Sequence, residues 1–261
     1  MEYLEPEIAR TRKGLRLVLT AGVPGPWGEA AKSIFSLKGI AYLPVRQTAG
    51  ESNPALLAWT GHANAPQAVL DDEPARTGWA EILLLAERLS TSTSPSLIPD
   101  DPHERALLFG LCFEICGEDG LGWHRRLQIM DGMLTLPDAA THPALETARV
   151  IGRRYGYSRE AADRSSRRVR QIIRLFSEQL AAQTRRGSEY LVGQQLSAAD
   201  IYWSTFAAML MPMPDALCPM PAPMRASYAA LPPEVAAALD PVLFEHRDRI
   251  YAKHLKLPVE F

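Results

Sequence analysis

Between residues 15 and 45 the apolar spacing of the chain changes twice, and that alternation constrains the fold more than any other feature. Residues 15–20 (LRLVLT) form an apolar run of strand length. Residues 27–37 then place Trp27, Ala30, Ala31, Ile34, Phe35 and Leu37 at helical spacing before Gly39 stops the helix, and residues 40–45 return to a strand pattern. A strand, a helix and a strand joined by short turns make a βαβ unit, whose crossover is right-handed over a mostly buried sheet. After a turn-rich stretch over 49–64, residues 66–70 predict a third strand. The turn residues Asp71, Asp72 and Pro74 follow it, and residues 79–89 (WAEILLLAERL) predict an amphipathic helix.

Beyond this point strand signals stop. Residues 91–101, rich in Ser, Thr, Pro and Asp, predict a solvated connection, which divides the chain into an α/β domain over 1–90 and an all-helical domain over 102–261. Helical spacing predicts helices over 103–119, 144–155, 158–184, 197–211 and 241–255, whereas the five prolines of 211–223 predict a loop or extended rim. There are no internal repeats.

Composition narrows the function classes. The formal charge of −2 argues against a dedicated nucleic-acid binder or a polybasic membrane protein. The longest uncharged stretch, 201–214, is broken by Pro212 and falls short of the roughly 18 apolar residues that span a bilayer. The apolar run at 17–23 reads better as a buried strand than as a short export signal beginning at residues 10–13, which would look similar. Three cysteines cannot all pair within the chain, and no Cys or His spacing suits a metal, so a reducing, cytoplasmic setting is expected.

Two segments carry a resemblance. Residues 25–40 (GPWGEAAKSIFSLKGI) place a small residue and a Pro-aromatic pair before a helix of three turns, and residues 190–203 (YLVGQQLSAADIYW) hold Gly193, Leu196, Ser197, Asp200 and Ile201. The second set is a capping box, with Ser197 and Asp200 satisfying each other's amides and Leu196 stapled against Ile201. Together with Asn53-Pro54 and Ala65-Pro66, these segments resemble the glutathione S-transferase family over nearly the whole chain. The resemblance implies a thioredoxin-like domain followed by a helical C-terminal domain, glutathione as co-substrate, a small apolar electrophile as second substrate, and a homodimer. It also implies a cis bond before Pro66, with the Ala65 backbone meeting the cysteinyl part of glutathione. The amides of Trp27 and Gly28, at a helix N-terminus, would face the thiolate, where the helix dipole favours negative charge.

The sequence departs from the family twice. Gly25 stands where a cysteine or serine is usual, so thiol exchange from that position is excluded, and Thr77 and Gly78 stand where a Glu-Ser pair usually receives the γ-glutamyl group. Two readings follow. Either glutathione binds through backbone amides, with Thr20, Trp27, Arg76 or Thr77 substituting, or the fold serves as a non-catalytic binding or interaction module.

Other residues divide between function and packing. Cys112 and Cys116, four apart on a helix, read as small core residues, and Cys218 in the proline-rich segment reads as exposed. Trp123 and His124 could rim a pocket, although a surface histidine is the simpler reading of His124. Residues 149–186 hold eleven arginines against three acidic residues, a net of +8 that leaves −10 for the remainder. Such a stripe either attracts anionic substrates or an acidic partner or, in the simpler reading, is the solvated face of a helix with Val169, Ile172, Ile173, Phe176 and Leu180 turned inward. Met209, Met211, Met213, Met220 and Met224 suit either an adaptable apolar rim or packing.

Overall fold

A computed structural model describes residues 1–91, 94–136 and 145–261. Its sheet is three-stranded in the order β2-β1-β3. Strand β1 (Leu15–Thr20) is central because it is buried along almost its whole length. On one side it pairs in parallel with β2 (Leu43–Gln47), from Arg16 opposite Leu43 to Thr20 opposite Gln47. On the other side it pairs antiparallel with β3 (Gln67–Leu70), from Leu15 opposite Leu70 to Val18 opposite Gln67. Beyond β3 the sheet adds only one bridge, between Ala68 and Arg76.

Alternation along β1 sorts its side chains to two faces. Leu15, Leu17 and Leu19 join Ala30, Ile34 and Phe35 of helix α2 (Pro26–Leu37), while Val18 joins Val45, Ala9 and Leu56 on the opposite face. That second face is closed by two helices absent from the sequence reading, α1 (Pro6–Ala9) and α3 (Pro54–Thr60). The turn-rich expectation for 49–64 is corrected at α3, where Pro54 takes the first helical position and Gly61, at φ +77°, ends the helix. Strand β2 also begins three residues later than expected. Gly39 adopts φ +66° and the Ile40 amide donates to the Phe35 carbonyl at 2.9 Å, so Ile40 completes the helix end before pairing can start.

Helix α4 (Trp79–Leu89) lies beside α2, and the rest of the described chain is helical. Helices α5 (Pro102–Cys116), α6 (Leu121–Leu134), α7 (Glu146–Arg154) and α8 (Arg159–Arg185) precede α9 (Ala198–Phe206), whose nine residues are all buried. Helix α9 packs against α2 and α5, and against the last long helix of the chain, so it joins the sheet portion to the helices. Short α10 (Ala222–Ala229) and α11 (Pro233–Ala236) precede that last helix, α12 (Pro241–His254). Ala144, the first residue of one expected helix, lies outside the described residues, as do 92–93 of the expected connection.

Helix α6 was not predicted, because its buried face carries polar groups that break the apolar period. Arg125 is fully buried, and its guanidinium donates to the carbonyls of Met209 (2.9 Å), Tyr228 (3.2 Å) and Ala230 (3.1 Å) and to Gln128 Oε1 (2.5 Å). Buried charge is tolerated where every donor has a partner. His124 is likewise buried and not on the surface, with Nδ1 3.0 Å from Ser165 Oγ and Nε2 2.8 Å from Asp119 Oδ1.

Burial settles the packing of the remaining candidates except Met211, which is exposed. Met209, Met213 and Met220 lie in an apolar cluster with Cys218, which is buried and not exposed, and Met224 packs against it. Cys112 and Cys116 are core residues. The arginines Arg164, Arg167, Arg170 and Arg174 of α8 face solvent, opposite buried Val169, Ile172, Ile173 and Phe176. Burial pushes the thiols of Cys112 and Cys116 well up and that of Cys218 up to about 11. Thiolate is the reactive form. Native protein at pH 8 is therefore expected to react with less than about one equivalent of Ellman's reagent, against all three thiols in guanidinium; rapid native labelling would contradict the packing.

Candidate functional site

A cavity of about 340 Å³ opens between the sheet portion and the helices. Its floor is the turn from β1 into α2. Gly25 is the N-cap of α2, and having no side chain it makes no capping hydrogen bond. Pro26 has no N–H, so the first amides of the helix belong to Trp27 and Gly28, both of which line the cavity. Gly28 also lets the helix approach the strand, since a Cβ there would stand 3.2 Å from Leu19 Cδ2.

Ala65 and Pro66 form an adjacent wall. Their bond is cis, and the β1–β3 ladder ends at Gln67, so the Ala65 backbone takes no part in it. Thr20 lines the same wall, although its hydroxyl donates to Gln47 Oε1 at 2.7 Å. Beside it Glu29 and Lys32 pair at 2.7 Å, and Lys32 Nζ also donates to the Glu260 carbonyl. Burial raises the Glu29 carboxyl above its usual range, with Lys32 opposing the shift.

The facing wall comes from α6 and α7. Trp123, Arg126, Ile151, Arg154 and Tyr155 line it. Trp27 reaches across to this wall. Its Nε1 donates to the Cys116 carbonyl at 2.9 Å, and its ring meets Phe206 edge-on at 4.7 Å and Tyr155 at 6.4 Å. Trp123 stands 4.6 Å from Tyr155, which completes an aromatic surface.

Gly122 permits this contact. A Cβ there would collide with Phe206 Cε1 and stand 2.7 Å from Trp27 Cη2. Gly122→Ala is expected to lower stability by about 1–3 kcal/mol, as overpacked cores do, with a blue or red shift of tryptophan fluorescence. Urea unfolding indistinguishable from wild type would show that the two rings are not packed this closely.

Sequence reasoning and structure agree on the position of one group of residues and differ on another. Gly25, Trp27, Gly28, Ala65 and Pro66 converge on the cavity. Thr77 and Gly78 do not line it, and their amides donate to Glu81 Oε2 at 3.3 and 3.0 Å, so Glu81 of α4 occupies groups that a ligand would need. Arg76 is also elsewhere, paired with Glu73. The methionines do not border the cavity, and its apolar surface is built from aromatic residues together with Leu19, Val23 and Ile151. Arg126 and Tyr155 were missed because nothing in α6 or α7 marks a cavity wall locally. Among the described residues, no group of three or more His, Cys, Asp or Glu side chains could hold a metal ion, and no helix is long and apolar enough to cross a membrane.

Residues 141–219 match the family model for the glutathione S-transferase C-terminal domain. No curated protein sequence matches the chain. Several solved structures share its fold over nearly its whole length. A glutathione S-transferase domain-containing protein of Marinobacter aquaeolei aligns at TM-score 0.62 and 18% identity, covering 92% of this chain and 100% of its own. A glutathione transferase family member of Pseudomonas fluorescens, solved with two glutathione molecules bound, aligns at 0.62 and 13%, covering 94% of each chain. The nitrogen regulation fragment of the yeast prion protein Ure2p aligns at 0.63 and 13%, covering 92% and 93%.

Proposed function

We propose that the chain is a member of the glutathione S-transferase family, that its cavity binds glutathione and that the bound thiolate attacks a small apolar electrophile. The observation that carries this reading is the convergence on one cavity of backbone groups that no side chain occupies, at the start of α2 and at Ala65, opposite an aromatic wall. The dipole and first-turn amides of α2 favour the thiolate over the thiol. Trp27, Trp123 and Tyr155 offer apolar faces to the electrophile. In the reaction the sulfur electron pair forms the new S–C bond, and the leaving group departs with the electrons of the bond it breaks. Holding both reactants in one cavity supplies proximity. No covalent protein intermediate is involved, because no cysteine lines the cavity.

A second reading, a non-catalytic binding or interaction module, is favoured by two observations. Gly25 offers no hydroxyl or thiol, and Glu81 holds the amides of Thr77 and Gly78. Titration calorimetry with glutathione, followed by a conjugation assay with 1-chloro-2,4-dinitrobenzene, separates the readings. Binding with turnover supports the transferase, whereas binding without turnover, or no heat at millimolar glutathione, removes it and leaves the module.

The division into domains at 1–90 and 102–261, a reducing cytoplasmic setting and a homodimer belong to the same proposal. Leu84 on α4 and Leu107 and Phe113 on α5 expose 44%, 40% and 51% of their surface, which supports self-association through these helices. Light scattering at micromolar concentration is expected to give twice the 28.8 kDa chain mass, and a monomer would contradict it.

A further inference from the structure

We propose that Arg126 of α6 is the group that stabilises the glutathione thiolate, in the space that Gly25 leaves open. This rests on the reading that glutathione binds with its sulfur at the start of α2. The geometry is specific. A Cβ built on Gly25 would have one neighbour within 4 Å, Arg126 Nη2 at 3.8 Å, so the guanidinium faces the point from which an activating side chain would extend. The group is held there by stacking, with its central carbon 5.9 Å from the centre of the Trp27 ring.

Arg126 also keeps unused hydrogen-bonding capacity in the wall of the cavity. Lys32 is engaged by Glu29 and the Glu260 carbonyl, and Arg154 Nη2 donates to the Glu51 carbonyl at 3.2 Å. Among the described residues no carboxylate forms an ion pair with Arg126; its titratable neighbours are the neutral phenols of Tyr228 and Tyr155, and its buried Nε has no hydrogen-bond partner. A guanidinium keeps its charge throughout the accessible pH range. With only neutral partners in a partly buried wall, such a charge is costly until an anion arrives.

A thiolate at the Gly25 position is that anion. On binding, the S–H bond of glutathione breaks, its electron pair stays on sulfur, and the proton leaves to water at the cavity mouth. Arg126 then pairs with the sulfur anion, where an opposite charge within about 4–6 Å lowers a pKa by about 1–3 units. The helical portion would thus supply, from across the cavity, the stabilisation that the sheet portion lacks at Gly25.

The test is the pKa of bound glutathione, read from thiolate absorbance near 240 nm, in wild type, Arg126→Met, Arg126→Gln and Arg126→Lys. Binding of S-methylglutathione, which has no ionisable thiol, is measured alongside by calorimetry. The expected result is a rise of about 1–2 pKa units in the Met and Gln variants and a value near wild type for Lys, with S-methylglutathione affinity changed less than about threefold. Using two neutral replacements keeps the result independent of the folding of either one. A bound-thiol pKa that is the same in wild type and in the neutral variants overturns the role of Arg126 while leaving the glutathione site intact. Wild-type protein that binds neither ligand overturns both.

Discussion

Replacing Asp200 with Ala is expected to cost about 3–5 kcal/mol of folding stability, the largest single loss that the structure points to. The Asp200 carboxylate is fully buried at the start of α9 and organises three elements at once. Oδ2 accepts from the Ser197 amide at 2.9 Å and from the Ser197 hydroxyl at 2.7 Å, while Oδ1 accepts from the Leu191 amide at 2.8 Å. His246 Nε2 of α12 lies 3.0 Å from Oδ1, and its Nδ1 faces Arg249 at 2.9 Å. Alanine strands two buried amides, each costing about 1–3 kcal/mol, and removes the helix cap. Asn keeps the shape and one accepting oxygen, so Asp200→Asn is expected to lose less. Urea unfolding measures both. A loss below about 1 kcal/mol in the alanine variant would show that these amides find other partners.

Trp27→Ala is expected to cost about 3 kcal/mol, at the low end for removal of a large aromatic side chain because Trp27 is only partly buried. The loss has separable parts. Trp27→Phe keeps a ring against Phe206 but deletes the Nε1 donor to the Cys116 carbonyl, and should lose about 1 kcal/mol. Both substitutions also remove or alter the platform under Arg126, so bound glutathione in Trp27→Ala should show a raised thiol pKa beyond the change in stability. A Trp27→Ala protein as stable as wild type would mean that the contact between α2 and the helices does not depend on this ring.

The parts of the fold that were legible in the sequence are those specified locally. A continuous apolar run marked β1, Gly39 marked the end of α2, and the Ser197-Asp200 spacing marked the start of α9. The floor of the cavity was legible for the same reason, since Gly25, Trp27, Gly28, Ala65 and Pro66 sit at turns written by glycine and proline. The opposite wall was legible only at Trp123. Arg126 and Tyr155 gain their meaning from a distant glycine and a distant tryptophan, and periodicity carries no information about that. Helix α6 was hidden because Arg125 and His124 are buried with their hydrogen bonds satisfied, which looks polar in sequence and behaves as core in the fold. Thr77 and Gly78 lie off the cavity lining, and sequence could not show that Glu81 takes their amides.

The most direct measurement of the central claim is a crystal structure of the protein soaked with glutathione. The account predicts density in the cavity with the sulfur against Gly25 and within about 4–6 Å of the Arg126 guanidinium, and with the cysteinyl backbone paired to Ala65. An empty cavity at millimolar glutathione, or a molecule bound with its sulfur turned away from the start of α2, would contradict it.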